Sequence, residues 1–391
     1  MNRTTYAPHL MALGFAGLLQ CCVPSSYRIG AEGPGSWSAS AWNIDDEVRG
    51  IAVGDFDGDG REELVVATPD RVLLVGREGS RVIWVYQGGS VVRLSAVERP
   101  GERRKDLLIG TFAHDELVVS IFGLGSGGLF RRAGPEASDI HFWAGEGLVS
   151  LESPRDRQRI VRRWSYDSST AGTALSAGQE LATVANREFG EAAFLPIGRA
   201  LDGIFGIDWD GSILRFTADG GIWHGSDELS LGLRPWAVES ENGDPLVSAS
   251  LVHWFRPPVV GVDLGHDGTL EFFSCRTVGN ELRVFERARV LKGGGLVVIS
   301  VDETGTPHAI GATSGALGQA CAGVDVLEGE IALMAVIERP RGGFRSAQSR
   351  VTGWVLGADG VLNPVEDLVS HVLDGVGPIP SQGDVPSDGA E

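Results

Sequence analysis

Cysteine is scarce in this chain. Of four, Cys21 and Cys22 close an N-terminal apolar stretch, which leaves only Cys275 and Cys321 beyond it. No CxxC or comparable spacing can be built from that pair, so a thiolate metal site and a dithiol redox centre are excluded. In an oxidising compartment the two could form a disulfide; two buried free thiols are the alternative. Positive charge is short as well: 33 Lys and Arg stand against 52 Asp and Glu, a net charge of −19. Nucleic acid and anionic lipid reward clustered cations, so neither is expected as a partner. Helical periodicity is nearly absent, and the apolar run Leu10–Leu19 is too short to span a bilayer. Catalytic signatures are missing too: there is no GxSxG elbow, no HExxH and no phosphate loop. His141, His224, His253 and His308 are scattered along the chain and read as structural or exposed. Activity of its own is therefore not expected.

Glycine is plentiful, at 56 residues of 391, and hydrophobic content is an ordinary 42%, which suits many short strands joined by tight turns. The chain opens on Arg3 and the apolar core Leu10–Leu19, a pattern that reads as an export signal over residues 1–22. Its end, Leu18-Leu19-Gln20-Cys21-Cys22, resembles a bacterial lipobox, with Gln20 where a small residue is usual. That resemblance implies lipidation at Cys21 and an outer-membrane-anchored lipoprotein, periplasmic or at the cell surface; a secreted protein is the alternative. Residues 23–37 are rich in Gly, Pro and Ser and read as a flexible tether, and residues 375–391 as a disordered acidic tail. The folded part is expected over 38–374.

Within it an apolar strand ending in a small residue recurs, at Leu64–Ala67, Leu107–Gly110, Ile160–Arg163, Ile204–Gly206, Val259–Gly261, Ala309–Gly311 and Trp354–Gly357. The mean interval is about 48 residues, near the ~40–45 of a four-stranded propeller blade. A preceding strand ends on an acid in most copies, as at Val97-Glu98 and Ile337-Glu338. Asp-Gly hairpin turns recur at Asp210-Gly211, Asp267-Gly268 and Asp359-Gly360. The expected fold is all-β, a β-propeller of seven four-stranded blades with six or eight left open. Residues 39–44 are placed to add an outer strand to the last blade and close the ring. The tryptophans, Trp84, Trp164, Trp209, Trp223 and Trp354 among them, are expected to fill space between blades.

The strongest local signal is Asp55-Phe-Asp57-Gly-Asp59-Gly-Arg61-Glu-Glu63, set between the apolar runs Ile51–Val53 and Leu64–Ala67. Carboxylates at alternate positions with glycines between them let a short backbone coil around a hard cation, as Ca²⁺ requires. An EF-hand is excluded, because its twelfth position would be Val66 and the flanks are strands rather than helices. The stretch Val53–Val66 resembles the FG-GAP/VCBS repeat of integrin-alpha-like propellers. The resemblance implies calcium held by the side chains of Asp55, Asp57, Asp59 and Glu63 and by the carbonyl of Arg61, with Glu63 in place of the usual Asp. Asp263–Glu271 carries acids at loop positions one, five and nine, but is assigned to a hairpin between second and third strands and so to turn chemistry. The expected function is a monomeric, exported calcium-binding propeller acting as a non-catalytic binding or scaffold module for a protein or glycan ligand. A lectin or carbohydrate-active enzyme using the central face is the alternative.

Overall fold

The computed structural model describes residues 28–29, 42–76, 79–99, 102–113, 116–136, 139–143, 147–152, 158–166, 175–185, 194–196, 204–207, 213–216, 222–224, 236–239, 252–255, 259–264, 271–281, 289–301, 307–313, 320–338, 348–365 and 368. The export signal with Cys21, most of the tether and the acidic tail lie outside them. Inside the tether, Arg28–Ile29 form β1, which pairs in parallel with Val290 and Leu291.

The regular elements are strands. After β2 (Trp42–Ile44), a meander runs through β3 (Gly50–Gly54), β4 (Glu63–Ala67), β5 (Arg71–Gly76) and β6 (Gly79–Val85). A second follows in β7 (Ser90–Glu98), β8 (Lys105–Ala113), β9 (Glu116–Gly125) and β10 (Gly128–Glu136). Two more four-stranded sheets comprise β11 (Asp139–Trp143), β12 (Gly147–Glu152), β13 (Gln158–Tyr166) and β14 (Leu175–Ala185), then β15 (Phe194–Pro196), β16 (Ile204–Ile207), β17 (Ile213–Phe216) and β18 (Ile222–His224). β19 (Trp236–Glu239) and β20 (Val252–Phe255) pair with each other. The next sheet holds β21 (Val260–Val262), β22 (Glu271–Glu281), β23 (Arg289–Val301) and β24 (Pro307–Ala312), with β1 on β23. The last holds β25 (Ala320–Leu327), β26 (Ile331–Glu338), β27 (Gln348–Leu356) and β28 (Leu362–Pro364).

The fold is all-β with the sheets arranged as propeller blades. Four blades stand side by side: β22 and β23 lie against β25, β25 against β3, and β3 against β7. The last sheet thus packs on the first. The seam is closed as the sequence suggests, because β2 pairs with β27 through Trp42 opposite Val351 and Ile44 opposite Ser349.

Among the described residues seven sheets follow one another along the chain and four of them stand side by side as blades, where seven blades are expected from the repeats; the index of strands within a sheet differs from that expectation. Leu64–Ala67, Leu107–Gly110 and Ile204–Gly206 are second strands as expected. Ile160–Arg163 lies in the third strand β13, Val259–Gly261 runs into the edge strand β21, Ala309–Gly311 lies in β24 and Trp354 in β27. The physical reason is that a strand covered on both faces reads as a continuous apolar run whatever its place in the sheet.

β3 and β4 show this burial directly, since every residue in both is buried. Alternate side chains serve different neighbours, as the two-residue period of a strand dictates. Ile51, Val53, Leu64 and Val66 join Leu333, Ala335 and Ile337 of the last blade. Ala52, Val65 and Ala67 join Leu94, Leu107 and Phe122 of the second. A third cluster joins Phe273 and Val298 to Val324, Met334 and Trp354. Across it runs a disulfide, Cys275 to Cys321, with Cα atoms 5.5 Å apart.

Candidate metal centre

The loop Asp55–Glu62 joins β3 to β4, between the first two strands of its blade. Its coil is set by glycines at two positions, Gly58 with φ 89° and Gly60 with φ 90°, a left-handed backbone that side chains disfavour. The acids organise the turn through its own amides. Asp55 Oδ1 accepts from the Gly58 amide at 2.6 Å and Asp55 Oδ2 from that of Gly60 at 3.0 Å. Asp57 Oδ1 accepts from the Asp59 amide, and Asp59 Oδ1 from that of Arg61, both at 2.9 Å.

The result is that Asp55, Asp57, Asp59 and Glu63 each place one oxygen within 4.8 Å of the others. Asp57 and Asp59 are exposed, whereas Asp55 and Glu63 are buried at the floor. Glu63, 2% exposed, accepts the Phe56 amide on Oε2 at 2.7 Å. Its Oε1 is buried with no hydrogen-bond partner among the described residues. Burial, only partly offset by the Phe56 amide and reinforced by the charges of Asp57, Asp55 and Asp59, pushes the Glu63 carboxyl up to about 8. Four carboxylates, one of them carrying the orphan buried oxygen, form a donor set suited to a hard divalent cation. Oxygens across a calcium ion stand roughly 5 Å apart, which matches the width of the cluster. Arg61 is exposed at the outer turn; its carbonyl as a fifth donor is implied by the resemblance alone.

Neighbouring blades hold this loop from both sides, through residues that the sequence reading did not single out. From the second blade, Arg104 Nε donates to the Phe56 carbonyl at 2.8 Å and a second guanidinium nitrogen donates to the Leu124 carbonyl. The Lys105 amide donates to the Asp55 carbonyl at 2.8 Å. From the last blade, the Glu328 amide donates to Glu62 Oε2 at 2.6 Å, and Asp325 Oδ2 accepts from Val53 at 2.6 Å. The run Arg103-Arg104-Lys105, dense positive charge in an acidic chain, is the one signal that could have pointed to this support.

The second acidic loop needs a correction. Asp263–Glu271 links β21 to β22, the outermost two strands at one edge of their sheet, and is not a hairpin between second and third strands. It repeats a contact of the first loop: the Leu264 amide donates to Glu271 Oε2 at 3.0 Å, as Phe56 does to Glu63, with the same seven-residue offset. Residues 265–270, with Asp267, lie outside the described residues.

The tryptophans that can be placed fill space between strands and blades. Trp84 packs on Tyr86 at 5.4 Å and on Phe122 of the next blade at 5.2 Å. Trp354 is buried, with its indole nitrogen on Thr352 at 2.9 Å. Trp164 packs against Val97, Leu108 and Ile121. The side chains of Trp209, Trp223, His141, His224 and His253 lie outside the described set, and His308 is exposed on β24.

Residues 48–86, the whole first blade with its loop, match the family model described as the FG-GAP repeat. No curated protein matches the chain.

Proposed function

Residues 48–86 being an FG-GAP repeat in a propeller of antiparallel blades, we propose that the chain is an exported binding or scaffold module stapled by one calcium ion. The propeller fold itself supports a binding or scaffold role. The observation that carries the calcium reading is Glu63, a buried carboxyl with an unpartnered oxygen beside three further acids. Asp55, Asp57, Asp59 and Glu63 hold the ion, with the Arg61 carbonyl completing the set. The ion supplies charge neutralisation, letting the turn keep four carboxylates together.

Isothermal titration and melting with calcium or chelator test this reading. At a hundredfold excess over Kd, calcium stabilises the fold by about 2.7 kcal/mol. Asp57→Ala removes that gain even in saturating calcium. A melt unchanged by chelator sinks the proposal.

Export is supported by the N-terminal signal and by the Cys275–Cys321 disulfide, a bond suited to oxidising compartments. Cys21 carries the lipid anchor. Cys21→Ser then moves the protein from the membrane fraction to the soluble one; a variant that stays membrane-bound overturns the anchor. The ligand of the module is a protein or a glycan at the exposed surface.

A further inference from the structure

The calcium loop touches three blades, and its link to the last one runs through a residue that is not a metal ligand. Glu62 sits between Arg61 and Glu63, so its backbone moves with the ligands on either side. Its side chain crosses the seam and accepts the Glu328 amide at 2.6 Å, a contact between positions 266 residues apart. Glu328 lies in the turn between β25 and β26, held at φ 52° ahead of Gly329 at 72°, and Glu330 closes that turn on the Leu327 carbonyl at 3.1 Å. Both central residues of the turn are left-handed, as a tight hairpin demands, and this points the Glu328 amide outward to Glu62. The other oxygen of Glu62 lies 3.6 Å from Lys105 Nζ of the second blade. Next to this contact, Asp325 holds Val53 and Val326 through one oxygen each, at 2.6 and 2.8 Å.

We infer that calcium occupancy and ring closure are coupled through Glu62: ordering the loop fixes the Glu328 turn and tightens the seam between the last blade and the first. The inference rests on the calcium reading and goes beyond it, because a staple confined to one turn would leave the last blade unchanged. Linkage makes the effect reciprocal, so loosening the seam weakens calcium binding by the same factor. Arg104, over Gly58 with its guanidinium on the Phe56 carbonyl, braces the other side so that the change is passed to the seam.

Amide hydrogen exchange of the full chain, with calcium and with chelator, tests the coupling alongside calorimetric titration. In the wild-type protein, calcium slows exchange in peptides covering 50–64 and also in those covering 323–332. Glu62→Ala keeps protection of the loop, loses it in 323–332, and weakens calcium binding by roughly fivefold, the worth of one net hydrogen bond. Glu62→Gln, which still offers an oxygen to the Glu328 amide, restores protection of both. Loop protection with the 323–332 peptides unmoved by calcium overturns the coupling and leaves the calcium reading standing. Absence of calcium binding in the titration overturns both. Should Glu62→Ala fail to fold, the wild-type comparison alone decides, since it uses no variant.

Discussion

Asp325 accepts the Val53 and Val326 amides where the last blade meets the first, with Lys105 and Glu62 nearby. Burial drives its carboxyl upward from 3.8 to about 6, against the pull of Lys105 and the two amides. A carboxyl raised in the folded state binds a proton that the unfolded chain has already lost. Its contribution to stability is therefore fully present below about pH 4 and lost as pH rises through about 6. The shift corresponds to at most about 3 kcal/mol. Asp325→Asn costs a hydrogen bond at every pH, because one oxygen becomes a donor facing a donor, but it cannot titrate. The difference in unfolding free energy between wild type and Asp325→Asn should thus slope between pH 4 and 7 and flatten outside it. A flat difference across that window would show that Asp325 does not titrate at the seam.

At the scale of strands, the seam depends on how closely β25 approaches β3. A side chain at Gly323 would bring its Cβ to 2.9 Å from the Ile51 nitrogen and 3.2 Å from the Gly50 Cα. Backbone cannot swing aside as a flexible side chain can, so Gly323→Ala must push two blades apart. The expected cost is about 1–3 kcal/mol, read as a lower midpoint in urea, with calcium affinity falling in step. These two strands also show what could be read from the chain alone. The acidic loop and its place between two strands were legible because Asp55, Asp57, Asp59 and Glu63, with two glycines between them, lie within nine residues flanked by runs of unmistakable strand character. The seam's outer strand was legible too, since Trp42-Asn43-Ile44 alternates apolar and polar residues just ahead of the first repeat. The groups that hold the loop were not, for Asp325 and Glu328 reach Val53 and Glu62 from 272 and 266 positions away. Strand order was illegible where a buried edge strand and a buried inner strand share one apolar pattern, which is how Asp263–Glu271 was assigned to the wrong turn.

At the scale of the whole molecule, three neighbouring blades in the row are joined by different means. Between the sheet of β21–β24 and that of β25–β28 the tie is covalent, Cys275 to Cys321, closing a loop of 46 residues. Between β25–β28 and β3–β6 it is β2 on β27, the Asp325 and Glu62 contacts, and a shared apolar core. Replacing both cysteines by serine should lower unfolding free energy by about 2–4 kcal/mol, measured from denaturation midpoints. The loss should centre on the two blades the bond spans, visible as faster exchange in β22 and β25.

The pairing of β2 with β27 also sets a clock. The Val48 amide is capped by the hydroxyl of Ser349, 301 residues further along. At about 5–20 residues per second, the ribosome needs about 15–60 s to deliver that partner. Through that interval Ile51, Val53, Leu64 and Val66 lack the Leu333, Ala335 and Ile337 that will cover them, and strand edges left waiting are where chains pair with the wrong neighbour. A helper that shields residues 42–50 for the first minute of the chain's life would raise the yield of closed rings without altering their final stability.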